Sequence, residues 1–428
     1  MFESLFDMDP RASEEELRIQ VERLEQLKSA AAAAQARATA LWSAKRRAAE
    51  ALAGVPVAKR GRGLAAEVGL ARRDSPKKGD RHLGLAKALA NEMPHTLAAL
   101  EAGALSEWRA TLIVRESACL SVQHRRELDA ELCADPSRLE GWSDKRVAAE
   151  AKAIVARLDV EALVARSTKA AEDRCVTIRP APDTMTYLTV LLPVAQGVAV
   201  YASLKRSADT TFDGRTRGQV MADTLVERVT GRPAEQPLPV MLNLVMADTT
   251  LAGDDDAPAW LADFGPIPAG FARALIGDAA TDESVRAMLR RLYRHPQSGQ
   301  LVAMESRAGI FPKGLGTFLE LRDQTCRTPY CDAPIRHHDH ATPRHRGGPT
   351  SALNGLGKCE ACNYAKEAPG WRVHTFDADG QRHTAVYVTP TGARHESHAP
   401  PLPNDVVMFK PSAVEALIAH HLAGLTAA

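Results

Sequence analysis

Four of the seven cysteines fall in two close pairs, Cys326 and Cys331 in CRTPYC and Cys359 and Cys362 in CEAC, and no other feature constrains the fold of this chain as tightly. Thiolates at such short spacing form knuckles that turn both sulfurs toward one point, and two knuckles close a tetrahedral Zn²⁺ site. The chain between them becomes a closed loop. Disulfides are the competing reading, and the redox compartment decides between the two. The N-terminus, MFESLFDMDP, is acidic and lacks the basic-then-apolar layout of a secretory signal. A cytoplasmic protein with reduced thiols and structural zinc is therefore expected. Cys119, Cys133 and Cys175 are scattered and read as ordinary buried thiols.

The closed loop holds HHDHATPRHRGGPT, residues 337 to 350. IRHHDH reads as a short strand, and TPRHRGGPT as a connection built on Pro343, Gly347, Gly348 and Pro349. SALNGLGKCEACNYAKEA then supplies a second strand or turn leading into a helix. A unit of strand, turn, strand and helix around a metal follows. Within it Asp339 offers a hard oxygen ligand, Asn363 a neutral oxygen ligand on the helix, and His340 a base able to work near neutral pH. His338 shares a strand face with His340, which makes it a substitute ligand, with a solvated or loop-packing histidine as the default.

The rest of the chain reads as an ordinary soluble protein, with 45% apolar and 25% charged residues. Lys+Arg of 54 against Asp+Glu of 53 leave a net charge of +1, so any nucleic-acid surface must be local. Residues 12 to 53 predict one long helix with a capping box at Ser13 and Glu16. Its alanine-rich stripe either packs within the chain or pairs two chains in a coiled-coil homodimer. Basic residues cluster between Lys45 and Arg81, where LAAEVGLAR and the helix opening at Ser75 and Pro76 offer either a helix-turn-helix or a solvated helical face. The uncharged run at 184 to 204 is long enough to test as a membrane span and fails on pattern, since TYLTVLL reads as a strand and Pro193 opens a helix. CVTIRP and VMLNLVM also read as strands, and 193 to 207, 216 to 229 and 268 to 293 as helices. The acidic run at Asp254, Asp255 and Asp256 reads as a solvated loop.

The expected fold class is therefore α+β and multidomain: a mainly helical N-terminal region, a central α+β unit and a C-terminal metal finger. The expected divisions are a long helix over 1–55, a helical region over 56–171, an α+β unit over 172–310, the finger over 311–376, and a hairpin with a tail helix over 377–428.

The Asp339–His340 pair, Asn354, Asn363 and Lys366, framed by the two cysteine pairs with GG-x-T between them, resemble the HNH nuclease motif. Its fold is a zinc-braced ββα-metal finger, and the resemblance covers about residues 320 to 374. EVGLARRDSP, TLAALEAGALS, VTIRPAPDTMTYLTVLLP and FGPIPA resemble landmarks of an actinobacterial family, associated with repeated mobile elements, that joins a long domain of unknown function to such a finger. The resemblance implies that His340 is the general base and that Asp339 and Asn363 hold a catalytic Mg²⁺ or Mn²⁺. It implies that Asn354 ties down the loop orienting His340, and that Arg344, His345, Arg346 and Lys366 contact the phosphate backbone of DNA. Many members place histidines where this chain has Cys362 and Asn363, a departure that shifts the metal preference toward hard ions. The expected activity is metal-dependent DNA hydrolysis; the alternatives are a zinc-braced nucleic-acid-binding protein that does not cut, and an RNA nuclease.

Overall fold

The computed structural model describes residues 9–234, 243–253, 255–262, 264–281, 311–377 and 382–401. The chain is an α+β multidomain protein. Its first half is a helical assembly: α1 (Glu14–Leu52), α2 (Leu64–Ala71), α3 (Pro76–Glu92), α4 (Pro94–Glu101), α5 (Glu107–Glu116), α6 (Val122–Cys133), α7 (Asp144–Leu158) and α8 (Val160–Ala170). Serine opens many of these helices. Ser13, Ser75, Ser106, Ser121 and Ser143 each accept a backbone N–H of the first turn, and Ser13 completes the expected box with Glu16. At α4 the acceptor comes from elsewhere: the buried Asp129 of α6 takes His95 N at 2.7 Å and Thr96 N at 2.8 Å. A carboxylate at a helix N-terminus satisfies orphan donors and meets the positive end of the dipole.

The alanine stripe of α1 packs within the chain. Ala32, Ala33 and Ala36 are buried in one core with Leu89 of α3, Leu100 of α4, Ile113 of α5, Leu128 of α6 and Val147 of α7. Small side chains let α1 lie close on α3 and α4. The helices α2 and α3 cross more closely still: a Cβ on Gly79 would meet Ala65 O at 2.0 Å and Gly69 N at 2.6 Å. Part of the basic stretch is paired within the chain, Arg46 on Glu67, Arg72 on Glu107 and, at the surface, Lys78 on Asp74.

Next comes an antiparallel hairpin, β1 (Cys175–Pro180) with β2 (Thr186–Leu191), in which Cys175 faces Leu191 and Pro180 faces Thr186. Cys175 is exposed, against the expectation of a buried thiol, because every residue of this hairpin is exposed. Two helices follow, α9 (Val194–Thr210) and α10 (Arg217–Thr230), the first opening one residue after Pro193. No described helix is long and apolar enough to cross a membrane. A small sheet, β3 (Leu244–Val245), β4 (Ala259–Leu261) and β5 (Gly265–Ile267), packs with α12 (Ala269–Thr281) around Leu261, Ile267 and Ala272, and the short α11 (Asp248–Ala252) lies against α12. The expected strand VMLNLVM and the expected helix 268 to 293 fall partly outside the described residues, and the expected tail helix lies outside them altogether.

The C-terminal part comprises α13 (Lys313–Asp323), β6 (His337–His340), β7 (Gly355–Lys358), α14 (Glu360–Lys366) and an antiparallel sheet of β8 (Arg372–Phe376), β9 (Thr384–Val388) and β10 (Arg394–His398). It docks on the helical region. Ala66 and Leu70 of α2 share a core with Ala368 and Trp371, and Thr391 Oγ1 donates to Glu67 Oε2 at 2.8 Å. Gly63 sits beneath this contact at φ +82°, where a Cβ would meet Ala368 at 2.7 Å and Trp371 at 2.8 Å. Only glycine suits both the backbone and the space.

Candidate metal and catalytic centre

The four paired cysteines converge. Their sulfurs all lie within 4.8 Å of one another, with Cys331 Sγ 3.9 Å from Cys359 Sγ and 3.6 Å from Cys362 Sγ. Sulfurs about 2.3 Å from a tetrahedral zinc stand ~3.8 Å apart, whereas a disulfide needs ~2.05 Å. The donor set therefore suits Zn²⁺. Hydrogen bonds from Cys331, Cys359 and Cys362 pull the Cys326 thiol well below its ordinary range, with the charge of Lys358 adding to the effect against burial. Lys358 is fully buried, its ammonium held by Thr328 Oγ1 at 2.8 Å, by Tyr387 Oη and over the Tyr387 ring.

Strand β6 pairs antiparallel with β7, Asp339 facing Leu356 and His340 facing Gly355. Successive side chains alternate, as a strand requires. His337 and Asp339 turn toward α14, where His337 lies 6.5 Å from the Tyr364 ring and Asp339 Oδ2 3.0 Å from Lys366 Nζ. His338 and His340 turn the other way. His338 Nε2 meets Glu320 Oε1 at 3.0 Å, so this histidine is held on α13, while the His340 ring packs 4.5 Å from Phe311. Gly316 makes room for His338, since a Cβ there would lie 2.7 Å from its ring.

His340 is fixed at three points. Its N–H donates to Asp339 Oδ1 at 2.8 Å, its carbonyl accepts Lys366 Nζ at 2.8 Å, and its Nε2 meets Thr350 Oγ1 at 2.9 Å. Burial lowers its pKa from the ordinary value; Asp339 opposes this, and the charges of Arg344 and Lys366 reinforce it. The imidazole is thus biased to its neutral form.

Asn354 is buried and closes the loop between the strands. Its Nδ2 donates to Thr342 O at 3.0 Å and Pro349 O at 2.8 Å, and its Oδ1 accepts Thr342 N at 2.9 Å. The loop is tight enough that a Cβ on Gly348 would fall 1.8 Å from Thr342 O. Arg344, His345 and Arg346 form an exposed 3-10 turn on this loop, with Arg344 Nη1 3.3 Å from Thr350 Oγ1.

Asn363 is half-buried on α14, three residues before Lys366 and so on the same helix face as the ammonium that reaches Asp339. Its side chain makes no hydrogen bond to another described residue. Lys366 is buried, bonded to His340 O and to Glu367 Oε1 at 2.6 Å. Asp339 Oδ2 is buried without a well-aligned hydrogen bond, the 3.0 Å approach of Lys366 being ionic only. A buried carboxylate oxygen in that state has capacity for one more cationic partner.

Sequence reasoning passed over the support beneath this centre. Arg322 binds Asp323 through two hydrogen bonds of 2.7 and 2.9 Å, Arg327 adds a third at 3.2 Å, and Asp323 Oδ2 accepts Gly357 N at 2.7 Å. Burial alone would raise the Asp323 pKa, but the charge and hydrogen bonds of Arg322, then Arg327, outweigh it and hold the carboxyl below its ordinary value. Arg322 also donates to Gly355 O at 2.7 Å, which ties β7 to α13. The signal was present as RDQTCR, but nothing in that string says that its charges are buried together. Thr350, the last residue of GG-x-T, was likewise seen without its role on His340.

Fold and site define a helical protein carrying a C-terminal finger with a four-cysteine cluster. Residues 21–307 match the family described as Domain of unknown function (DUF222), more than half of the chain, and the chain belongs to that family. The cysteine cluster and β6 to α14 lie beyond the matched segment. No match is found among curated proteins or solved structures.

Proposed function

We propose that the C-terminal finger is an HNH-type centre that hydrolyses phosphodiester bonds in DNA with a divalent cation, Mg²⁺ or Mn²⁺, and that Zn²⁺ on Cys326, Cys331, Cys359 and Cys362 braces it. The observation that carries this reading is the juxtaposition at the end of β6. A buried carboxylate oxygen with spare capacity adjoins a neutral-biased imidazole locked by Thr350 and by an Asn354-stapled loop.

Asp339 and Asn363 would hold the catalytic cation. When bound it supplies charge stabilisation for the phosphoryl and leaving oxygens. Lys366 Nζ stands close to Asp339 and must shift to admit the ion; it keeps His340 O and Glu367 Oε1 as acceptors when it does. With His340 Nε2–H donating to Thr350 Oγ1, Nδ1 carries the lone pair that takes the proton of the attacking water. Arg344, His345 and Arg346, exposed on the loop, contact the phosphate backbone. Lys366, being buried, serves as the counter-charge of Asp339 and reaches a phosphate only from the floor of the site.

A second reading has one observation in its favour. Lys366 already neutralises Asp339, as it would in a zinc-braced nucleic-acid-binding protein that does not cut. Conversion of supercoiled plasmid to nicked and linear forms with Mg²⁺ or Mn²⁺ separates the two. Cutting should vanish in EDTA and fall about 100-fold or more in His340→Ala, with DNA binding retained. Absence of cutting by folded, zinc-loaded protein on several DNA substrates favours the binding protein, and cutting of RNA alone favours the RNA nuclease.

A homodimer through α1 retains support from side chains off the alanine face: Leu17, Val21 and Leu41 stay exposed while Ala32, Ala33 and Ala36 are buried within the chain. Light scattering that finds a monomer at working concentrations would remove it. Reduced thiols on the zinc set accord with a cytoplasmic setting.

A further inference from the structure

A cleft of about 270 Å³ opens where α1 and α2 meet the first cysteine knuckle and the turn between β9 and β10. It lies just below the ~300–1,000 Å³ of small-molecule pockets, so it suits a single planar ring system better than an extended ligand. Three rings line it beside aliphatic and threonine side chains: Trp42 from α1, Tyr330 from the knuckle and His395 from β10. Tyr330 and His395 meet edge to face, with centroids 6.4 Å apart at 80°. Tyr330 remains 50% exposed, so its ring is not spent on the core.

The charges are arranged for an anion at the rim. Glu67 lines the interior, but Arg46 Nη2 at 2.8 Å and Thr391 Oγ1 at 2.8 Å occupy its two oxygens, so it presents no free negative charge. Arg73 lines the same cleft, is exposed, and forms no ion pair with another described residue. Backbone strain marks the same place. Arg73 at φ 57° and Tyr330 at φ 61° are two of the five described non-glycine residues with positive φ. Strain of this kind costs stability and clusters at ligand clamps.

We propose that this cleft binds one unpaired nucleotide of a nucleic-acid strand, its base against Tyr330, His395 and Trp42 and its phosphate on Arg73. The proposal rests on the reading that the finger acts on nucleic acid. Aromatic rings accept any base face, so the contact is tolerant of sequence. A base stacked in a duplex cannot enter, so the cleft selects single-stranded or extruded nucleotides. Because Tyr330 directly precedes Cys331, the zinc knuckle itself carries one wall of the cleft.

The test uses the full zinc-loaded chain and three kinds of labelled probe, read by fluorescence anisotropy: a short single strand, a set of the same strand with one abasic position tiled along it, and a blunt duplex. Tyr330→Ala should weaken single-strand binding about tenfold, Tyr330→Phe should retain it, and duplex binding should be unchanged. Across a tiled set of abasic positions, one should reproduce the loss in the wild-type protein and add nothing to Tyr330→Ala. Arg73→Ala should weaken the single strand while leaving zinc content intact. Should Tyr330→Ala lose zinc, quenching of tryptophan fluorescence by the single strand, present in wild type and missing in Trp42→Phe, carries the test instead. Equal losses on single strand and duplex, or no quenching at Trp42, overturn the proposal. If plasmid is nicked and duplex bound while Tyr330 makes no difference, the cleft proposal alone falls; if no nucleic acid is bound, the nuclease reading falls with it.

Discussion

Two strand pairs in this molecule behave oppositely. All four residues of β7 are buried, whereas all twelve of β1 and β2 are exposed, Val176 and Ile178 among them. Both pairs satisfy their ladder hydrogen bonds. The difference lies in what holds each one from outside. The β1–β2 hairpin is made by chain neighbours and its own register. Strand β7 is held by groups distant in sequence: Arg322 on Gly355 O, Asp323 on Gly357 N, and Leu356 in a core with Val373 and Tyr387. A short, glycine-containing strand with little propensity of its own persists because polar and apolar groups from distant segments fix it.

That contrast can be broken in four ways. The largest effect should follow loss of the cysteine set. Cys359→Ala with Cys362→Ala, or a strong chelator, should unfold the finger, since structural zinc contributes on the order of 10 kcal/mol, and should leave the helical core intact. Near-UV circular dichroism with zinc release checks this, and a finger that stays folded without metal would sink it.

Removal of Asp323 comes next. Asp323→Ala strands the buried charges of Arg322 and Arg327 and should cost about 3–5 kcal/mol, read by urea denaturation of the finger. A loss below about 1 kcal/mol would mean that the pair is solvated in solution.

Acid should act on the same region through His383. Burial, with the nearby charge of Arg322, drives its pKa down to about 3, against about 6.5 in the unfolded chain. Between these values the unfolded chain binds the proton and the folded one does not. Stability is therefore present above about pH 6.5 and is lost as pH falls toward 3, by up to about 1.4 kcal/mol per pH unit. His383→Gln should flatten that slope in a pH series of denaturation midpoints.

The smallest effect belongs to the exposed hairpin. Ile178→Ala should change stability by no more than about 0.5 kcal/mol. A cost of ~2 kcal/mol or more would show that the hairpin is covered in solution, and the contrast with β7 would disappear.

Much of the local structure was legible in the sequence. The helix expected over 12 to 53 runs Glu14–Leu52 with its capping box, CVTIRP is a strand residue for residue, and Ser75 with Pro76 opens α3 as N-cap and first turn. These features depend on neighbours within a turn or two, which a linear reading contains. The convergence of Cys326, Cys331, Cys359 and Cys362 was also legible, because short spacing limits where two sulfurs can point. Around His340 the alternation of β6 was foreseeable, but its partners were not. Thr350, Phe311 and the buried Lys366 reach the strand from three different segments.

By itself, then, the sequence determined where helices begin, which thiols meet, and which strand carries the Asp339–His340 pair. Tertiary structure alone decided that the alanine face of α1 is spent inside the chain, that Lys366 lies buried against Asp339, and that the finger seats on α2 to form an aromatic cleft. The physical reason is range. Capping, strand alternation and knuckle geometry are set by covalent neighbours, whereas burial and charge pairing depend on which distant surfaces exclude water from one another.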